Sequence, residues 1–573
     1  MAEGARLESV FTRKGNVGSN PTLSASKSSL QRNCAALSLE IRERCPFLAI
    51  LPPQTGLQEN GLLFNVRALT WLFSARQVYS PVTISAGSGL GRSQLKRFMR
   101  LLLGVCLAGG VGVICAEAQL VRLPEEKTHP QLPIGQLIEM VACDSDPAQS
   151  YALYLPSSYT AARRWPIVYA FDPGAHGKRP VELYKDIAEK YGFVIAGSNN
   201  ARNFSTDESS RSMRAMWQDT HSRLTLDEHR TYTSGFSGGA RMAGAMAVGC
   251  IQCQITGVIA QGAGYPSSHK SGDDGLLYFL TVGDRDFNWP EVVTIRGERE
   301  EQGLRYRVRT FSGEHQWAPP EIMEDAIEWM KLDSMRSGHE PPDGAFIDQF
   351  FRRMQAEAQD AEKARDSIAQ LAAYRSLVSD FGGLKNITEY EKKLESLKKS
   401  AELKTALKKE HAQIVEQAAI ENEISPMLKT FTDGTAEDLV TLGNEVSREM
   451  AVVKSQGEHA KNEVQRLVSA RAFASLWVEG IESGQMEFES RHFDKAEACF
   501  QLMSRVRDDP WPVLLLAETR TARGNKKQAI KDLREAVRRG LTKPETLEKD
   551  DKLQSLKSEA EFQKIVEELK RAR

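Results

Sequence analysis

The chain has 573 residues, which is too many for a single hydrophobic core, so we expect two or three domains. Its 75 Lys and Arg residues balance 76 Asp and Glu residues, and this balance gives no support to a nucleic-acid-binding or anionic-membrane role. The hydrophobic fraction of 41% is ordinary for globular domains.

Residues 1–98 read poorly as a domain, because they hold clusters of Ser, Gly, Asn and Pro with only scattered apolar runs. A basic segment at residues 96–100 then precedes an uncharged apolar stretch at residues 101–115 and the sequence AEA. This order is typical of a bacterial-type secretory signal peptide over residues 99–118. A buried core helix or an N-terminal anchor is the alternative.

The signal peptide would begin near Met99, so we expect Met99 to be the true start of the protein. Residues 1–98 are then either upstream sequence outside the native protein or disordered chain. The mature protein would be exported, either periplasmic or secreted. The apolar stretch at residues 101–115 is short for a transmembrane helix, and we expect no stable membrane span in the mature chain.

Residues 119–338 alternate strand-like and helix-like segments. The strand-like segments are continuous apolar runs at residues 166–171, 193–197, 256–260 and 276–282, and alternating runs at residues 151–156 and 305–311. Helical patterns lie at residues 181–191, 209–226 and 320–335. This alternation predicts an α/β domain, with a mostly parallel sheet and helices on both faces.

The sequence GFSGG at residues 235–239 has the pattern Gly-x-Ser-x-Gly. It follows a strand-like run at residues 230–233 and precedes a helix of small residues at residues 240–248. A nucleophile elbow requires this strand–turn–helix order, because its serine stands on a sharp, strained turn that glycines make possible. Ser237 is therefore the candidate nucleophile.

A serine hydroxyl needs a base to remove its proton, and the base needs an orienting acid. The strand at residues 276–282 leads into the sequence GDRDFNW, in which Asp286 is our choice for the acid and Asp284 is the alternative. A third interpretation is that both aspartates only solvate a turn. His315 lies between the last strand and the last helix, where the base belongs. The order Ser, Asp, His is that of the α/β-hydrolase arrangement.

The oxyanion formed during acyl transfer needs two N–H donors. Gly238, the residue after the nucleophile, would supply one. Gly174 is the candidate for the other, because it lies on the loop after the third strand and the neighbouring Pro173 has no N–H. His176 on that loop and Trp317 beside the base are candidate substrate-binding residues, although burial in the core is the commoner fate of a tryptophan.

These motifs support a resemblance that covers residues 119–338. The sequences FSGG (236–239), GDRDFN (283–288) and GEHQW (313–317) resemble those of small α/β hydrolases grouped with polyhydroxybutyrate depolymerases, feruloyl esterases and dienelactone hydrolase-like proteins. That group usually has His-Gly after its third strand, whereas this chain has Asp172-Pro173. The resemblance implies hydrolysis of small-molecule or polymeric carboxylic esters, with no metal and no organic cofactor.

The C-x-x-C sequence at residues 250–253 follows the helix after Ser237 and has no second pair or histidines nearby. Zinc binding and a redox role are therefore poorly supported. A local structural pair, or two buried thiols, is the better interpretation.

Residues 337–344 have the composition of a linker, and almost no strand-like runs follow them. Residues 345–470 are predicted to form long helices. An amphipathic helix with a narrow, coiled-coil-like seam is indicated by the spacing of Ile387, Tyr390, Leu394, Leu397 and Ala401. Gly382-Gly383 and Ser425-Pro426 interrupt the pattern, which favours a helical hairpin within the chain over a long dimeric coiled coil.

Residues 475–573 contain two Ala-x-x-x-Phe/Leu frames, which begin at Ala496 and Ala529, about 33 residues apart. This spacing and the Ala-x-x-x-Phe element resemble those of tetratricopeptide repeats, and an unrelated helical bundle is the alternative. Either arrangement would offer a groove for a protein partner.

The sequence favours an exported serine esterase that acts through Ser237, His315 and Asp286. A second hypothesis is a serine peptidase of the prolyl-oligopeptidase type, because the same triad can cleave peptides. A third is a helical-repeat adaptor that carries an inactive hydrolase domain.

Overall fold

The computed structural model describes residues 66–68, 82–84, 132–264, 275–434 and 436–572. The signal peptide predicted at residues 99–118 lies outside the described residues. Two short strands, β1 (Val66–Ala68) and β2 (Val82–Ile84), pair antiparallel within a unit that spans Lys14–Gln131. All the elements described below belong to a second compact unit that includes Leu132–Arg573.

An eight-stranded sheet organises the first part of this unit. Its strands are β3 (Leu137–Ala142), β4 (Ser150–Tyr154), β5 (Trp165–Phe171), β6 (Val194–Ser198), β7 (Leu226–Phe236), β8 (Gly257–Gln261), β9 (Leu277–Gly283) and β10 (Tyr306–Phe311). Their order across the sheet is β10-β9-β8-β7-β5-β6-β4-β3. Strand β4 pairs antiparallel with both β3 and β6, and strands β5 to β10 are mutually parallel. This is the α/β-hydrolase fold that the sequence predicts.

Helices cover both faces of the sheet. They are α1 (Lys178–Tyr191), α2 (Thr206–Arg223), α3 (Gly238–Gly249), α4 (Trp289–Glu301) and α5 (Pro320–Arg336). Strand β5 shows why the apolar run is continuous: Ile167 and Tyr169 enter one core, and Val168 and Ala170 enter the core on the other face. The predicted helix at residues 209–226 ends earlier, at Arg223, because strand β7 already begins at Leu226.

The helical region (residues 344–572) follows directly after α5. Its helices are α6 (Gly344–Ala364), α7 (Ser367–Phe381), α8 (Thr388–Lys399), α9 (Ala401–Asp433), α10 (Ala436–Glu458), α11 (Glu463–Glu489), α12 (Phe493–Val506), α13 (Pro510–Ala522), α14 (Lys526–Arg538), α15 (Pro544–Glu548) and α16 (Ala560–Arg571). Ile347 and Phe350 of α6 join the same core as Phe279 and Trp329 of the sheet region. The segment with linker composition is therefore a short connection between packed helices.

The seam predicted around residues 387–401 is divided between two helices. Tyr390 and Leu394 are buried on α8, as the spacing predicts, but α8 ends at Lys399 and Ser400 caps the start of α9. The expectation that Pro426 interrupts the helix is wrong, because α9 continues through it. Ile424 and Leu428, on either side of the proline, are buried in one core, and this packing maintains the helix despite the missing N–H donor.

Strand β10 lies at the edge of the sheet, as its alternating pattern indicates. Its arginines, however, are covered by helices. Arg307 is only 3% exposed and lies between Asp325 of α5 and Asp380 of α7, at 3.1 Å from each. Burial alone would raise the pKa of Asp325, but Arg307, Arg309 and Arg353 together hold it below its ordinary range.

Ala496 on α12 and Ala529 on α14 are both fully buried, so the two frames occupy comparable packed positions. The assignment of this region to tetratricopeptide repeats stays a prediction. Among the residues that the structure describes, no helix is both long enough and apolar enough to cross a bilayer. Cys250 and Cys253 form a disulfide across the short turn after α3, in agreement with a local structural pair.

Candidate active site

Ser237 stands on the turn between β7 and α3, with a φ of 54° and a ψ of −124°. A positive φ is strained for a residue with a Cβ atom, so the surrounding structure must enforce it. A Cβ atom added to Gly235 would lie 2.1 Å from the Gly239 oxygen, and one added to Gly239 would lie 2.1 Å from the Phe171 oxygen. The chain therefore approaches itself too closely for any other residue at these two positions.

Ser237, His315 and Asp286 lie in one hydrogen-bonded chain. The Ser237 Oγ is 2.9 Å from His315 Nε2, and His315 Nδ1 is 2.9 and 3.0 Å from the two carboxylate oxygens of Asp286. The Asp286 side chain is fully buried, and that of His315 is 20% exposed. The three residues follow the carboxyl ends of β7, β9 and β10. Because these strands are parallel, their carboxyl ends lie along the same edge of the sheet.

Neighbouring groups hold the orientation of the acid and of the imidazole. The N–H of Asn288 donates to Asp286 Oδ1 at 2.9 Å, and the Asn288 side chain donates to the Gly262 oxygen. The His315 ring lies against the rings of Phe236 and Phe287, with centroids 4.5 and 4.3 Å away. These contacts hold the imidazole where Nε2 can bond to Ser237 and Nδ1 can bond to Asp286.

Asp284, the alternative acid, has a different set of contacts. Its Oδ1 accepts the N–H of Gly313 at 3.0 Å, and its own N–H donates to the Phe311 oxygen. Asp284 thus connects the loop that carries Asp286 to the loop that carries His315. Its carboxylate makes no hydrogen bond to His315 within the described part of the chain.

The two expected oxyanion donors have different surroundings. Gly238 begins α3, where N–H groups and the positive end of the helix dipole favour an anion. The Gly174 N–H instead donates to Asp172 Oδ1 at 2.9 Å, so it is already engaged. The Asp172 side chain is only 3% exposed, and a buried carboxylate needs hydrogen-bond donors. For this reason the Gly174 N–H donates to Asp172 and is not free to serve as the second oxyanion donor that the sequence predicts.

Asp172 also binds the two residues that the sequence suggested as substrate contacts. His176 Nδ1 lies 3.0 Å from its Oδ1, and the Trp317 indole donates to its Oδ2 at 3.2 Å. Burial would raise the pKa of Asp172, but the hydrogen bonds from His176, Gly174 and Trp317 lower it below its ordinary range. His176 has a 70% exposed side chain and remains accessible.

Trp317 is only 5% exposed and lies against Tyr184 and Phe236 in the core. Burial, the commoner fate of a tryptophan, is therefore the outcome for Trp317, and a direct contact of its side chain with substrate stays a prediction. Its N–H has a buried partner in Asp172, and this satisfies the one polar group that would otherwise oppose burial of the indole.

Asn203 lies beside the site and was missed by the sequence reasoning. A Cβ atom added to Gly238 would lie 1.8 Å from Asn203 Oδ1 and 3.0 Å from its Nδ2, so the amide is directly next to Gly238. Its backbone N–H donates to the Pro173 oxygen. A polar loop directly after the buried run at residues 193–197 was the available signal, because side chains past the carboxyl ends of parallel strands often form the site.

Across the described ranges, no group of three or more His, Cys, Asp and Glu side chains is arranged to hold a metal ion.

Several solved structures are similar to part of the chain. Fluorophosphonate-binding serine hydrolase F of Staphylococcus aureus, with substrate bound, is 11% identical, with a TM-score of 0.29 over 35% of this chain and 99% of that one. S-formylglutathione hydrolase of the same organism is 12% identical, with a TM-score of 0.28 over 34% of this chain and 98% of that one. An acetyl ester-xyloside bifunctional hydrolase from Caldicellulosiruptor lactoaceticus is 14% identical, with a TM-score of 0.28 over 36% of this chain and 97% of that one.

No protein-family model matches the chain, and no curated protein matches it. The identities and TM-scores to these solved structures are low. The fold is therefore assigned from the strand order and from the turn at Ser237, which are both those of the α/β-hydrolase fold.

Proposed function

We propose that the protein is a serine hydrolase that cleaves carboxylic esters through an acyl-enzyme on Ser237. The observation that carries the proposal is the unbroken chain of hydrogen bonds from Ser237 through His315 to the buried Asp286. A solvated turn would not explain why a buried carboxylate faces an imidazole that in turn faces a strained serine.

In the proposed reaction, His315 Nε2 takes the proton of Ser237 as Oγ attacks the carbonyl carbon. The resulting oxyanion binds the N–H of Gly238, with the Asn203 amide beside it. The C–O bond then breaks, and the alcohol leaves with the proton from Nε2. Water, deprotonated by the same nitrogen, attacks the acyl group, releases the acid and restores Ser237. Asp286 accepts the Nδ1–H bond throughout, which keeps the required tautomer and stabilises the imidazolium.

The proposed substrate is a small-molecule or polymeric ester, and the proposed location is outside the cytoplasm, through the signal peptide predicted at residues 99–118. Binding of a protein partner by the helical region also remains a proposal. We do not assign a role to a metal or an organic cofactor.

The nucleophile is tested by labelling the full chain with a fluorophosphonate probe. We expect wild-type protein to be labelled, Ser237→Ala to be unlabelled, and His315→Ala to be labelled at least about 10³-fold more slowly, because the base is lost. Ser210→Ala is the matched control, since Ser210 is exposed on α2. Folded wild-type protein that resists the probe would contradict the proposal and favour an inactive hydrolase domain in an adaptor.

The substrate class is tested with p-nitrophenyl esters and peptide p-nitroanilides under the same conditions. We expect turnover of the esters and little turnover of the anilides. Comparable kcat/KM on the anilides would favour the peptidase hypothesis.

A further inference from the structure

Two helices of the helical region contact the backbone of the Asp286 loop (residues 284–289). Arg471 of α11 donates its Nε–H to the Asp284 oxygen at 2.7 Å. Gln417 of α9 donates its Nε2–H to the Phe287 oxygen at 3.0 Å. Arg471 is 2% exposed and Gln417 is 1% exposed, so both contacts are shielded from water.

These two bonds lie on either side of Asp286, one before it and one after it. The Arg471 guanidinium also lies over the Trp289 ring, 3.8 Å from its centroid, where the loop passes into α4. About two turns further along α4, Arg296 binds the carboxylate of Glu410 on α9 through both Nη atoms. The helical region therefore holds the loop at both of its ends.

Burial of the charged Arg471 side chain at this position costs free energy. Among the described residues it has no ion-pair partner, and its second hydrogen bond is to the neutral side chain of Gln413. Burial lowers the pKa of Arg471 to about 10, although Asp284, Asp286 and Glu410 act in the opposite direction, so it stays charged at neutral pH. A methionine could fill much of this space without burying a charge, so stability alone does not account for an arginine.

We propose that the helical region positions the acid of the active site, and that Arg471, assisted by Gln417, is the positioning residue. The inference rests on the proposed function, in which Asp286 orients His315. Holding the oxygens of Asp284 and Phe287 fixes the backbone on both sides of Asp286, and its carboxylate then faces Nδ1 of His315. The helical region is thus part of the hydrolase and not a separable adaptor.

The test uses three variants of the full chain: Arg471→Met, Arg471→Lys and Arg520→Met. We expect Arg471→Met to lower kcat about 30-fold with KM changed less than about 2-fold, because misplacement of a catalytic group by about 1 Å can cost 10²-fold in rate. Arg471→Lys should recover part of kcat, because an ammonium can still donate to the Asp284 oxygen but cannot reproduce the planar stack.

Arg520→Met is the matched control. Arg520 is a largely buried arginine of α13 that binds Asp532 and Glu497, and it has no contact with the Asp286 loop. Its loss should lower stability without lowering kcat. If Arg471→Met and Arg520→Met have the same kcat, the inference is overturned.

A spectroscopic readout separates this inference from the proposed function. The Nδ1–H proton shared by His315 and Asp286 should give a low-field proton resonance in the wild type, in Ser237→Ala and in Arg520→Met, and should be lost or shifted in Arg471→Met. If the wild type cleaves no ester but Arg471→Met alone loses the resonance, the function fails and the positioning role stands. An unchanged resonance in Arg471→Met overturns the positioning role even if Ser237 reacts with the probe.

Gln417→Leu keeps the inference testable if Arg471→Met does not fold. It removes one neutral donor and should lower kcat about 3- to 10-fold, which corresponds to one lost hydrogen bond. An unchanged kcat in folded Gln417→Leu would also count against the inference.

Discussion

The sheet region and the helical region organise their polar groups in different ways. In the sheet region, parallel strand pairing brings the ends of β7, β9 and β10 to one edge, and Ser237, Asp286 and His315 follow from that pairing. The helical region has no such register and reaches the sheet region through individual side chains. Backbone pairing thus determines where the loops begin, whereas side chains from the helices determine where one of those loops lies.

Two of the contacts between the helical region and the sheet region differ in kind. At β10, the buried Arg307 forms ion pairs with both Asp325 and Asp380. At the Asp286 loop, Arg471 is buried without an ion pair among the described residues, and it binds a backbone oxygen. We expect the first contact to act mainly on stability and the second mainly on activity.

The largest effect should come from the acid itself. Asp286→Asn should lower kcat by about 10⁴-fold, because an amide in this position favours the wrong tautomer of the base. Asp284→Asn is the matched control and should lose less than about 10-fold, since an amide oxygen can still accept the Gly313 N–H. Ester hydrolysis by both purified variants measures this. Equal losses would show that the two aspartates act together.

Loss of the contact at β10 should lower the free energy of unfolding. Asp380→Ala leaves Arg307 buried with one carboxylate partner fewer, and we expect the free energy of unfolding to fall by about 3 kcal/mol. Asp360→Ala is the control: it removes the exposed ion pair with Lys363 and should change the free energy of unfolding by less than about 1 kcal/mol. Urea unfolding at neutral pH compares the two. Similar values would mean that the β10 network does not hold the two regions together.

The helical region should also show its own dependence on pH. Burial raises the pKa of Glu518 on α13 to about 7, from an ordinary value of 4.5. A raised acid pKa contributes stability that is present in full below pH 4.5 and is lost as the pH rises through about 7. The free energy of unfolding of Glu518→Gln, relative to that of the wild type, should therefore rise by roughly 2–3 kcal/mol between pH 4.5 and pH 8. Urea unfolding at both pH values tests this, and a constant difference would refute it.

The smallest effect should come from the exposed contact with the His315 loop. Arg507 lies 3.7 Å from Glu314, and their side chains are 35% and 62% exposed. Arg507→Gln should change kcat by less than about 2-fold, because exposed ion pairs contribute little. Steady-state measurement of kcat for Arg507→Gln and Arg471→Met compares the exposed contact with the buried one. A loss as large as that in Arg471→Met would remove the contrast.

Much of the fold could be predicted from local pattern. Continuous apolar runs correctly indicated β5, β6, β8 and β9, because strands buried on both faces need apolar side chains at every position. The turn at Ser237 was visible because its close backbone approaches require Gly235 and Gly239. The boundary near Pro426 was wrong, because burial of Ile424 and Leu428 outweighs the local effect of the proline.

The sequence by itself determined the strand pattern, the turn and the order of Ser237, Asp286 and His315, because periodicity and glycine geometry are local properties. Only the tertiary structure decided that Asp172 engages the Gly174 N–H, that Trp317 is buried, and that Arg471 reaches the Asp284 oxygen from 187 residues away. These contacts join side chains to partners on other elements or to buried carboxylates. They leave no periodic signal in the chain, and they exist only once the helices and the sheet have packed.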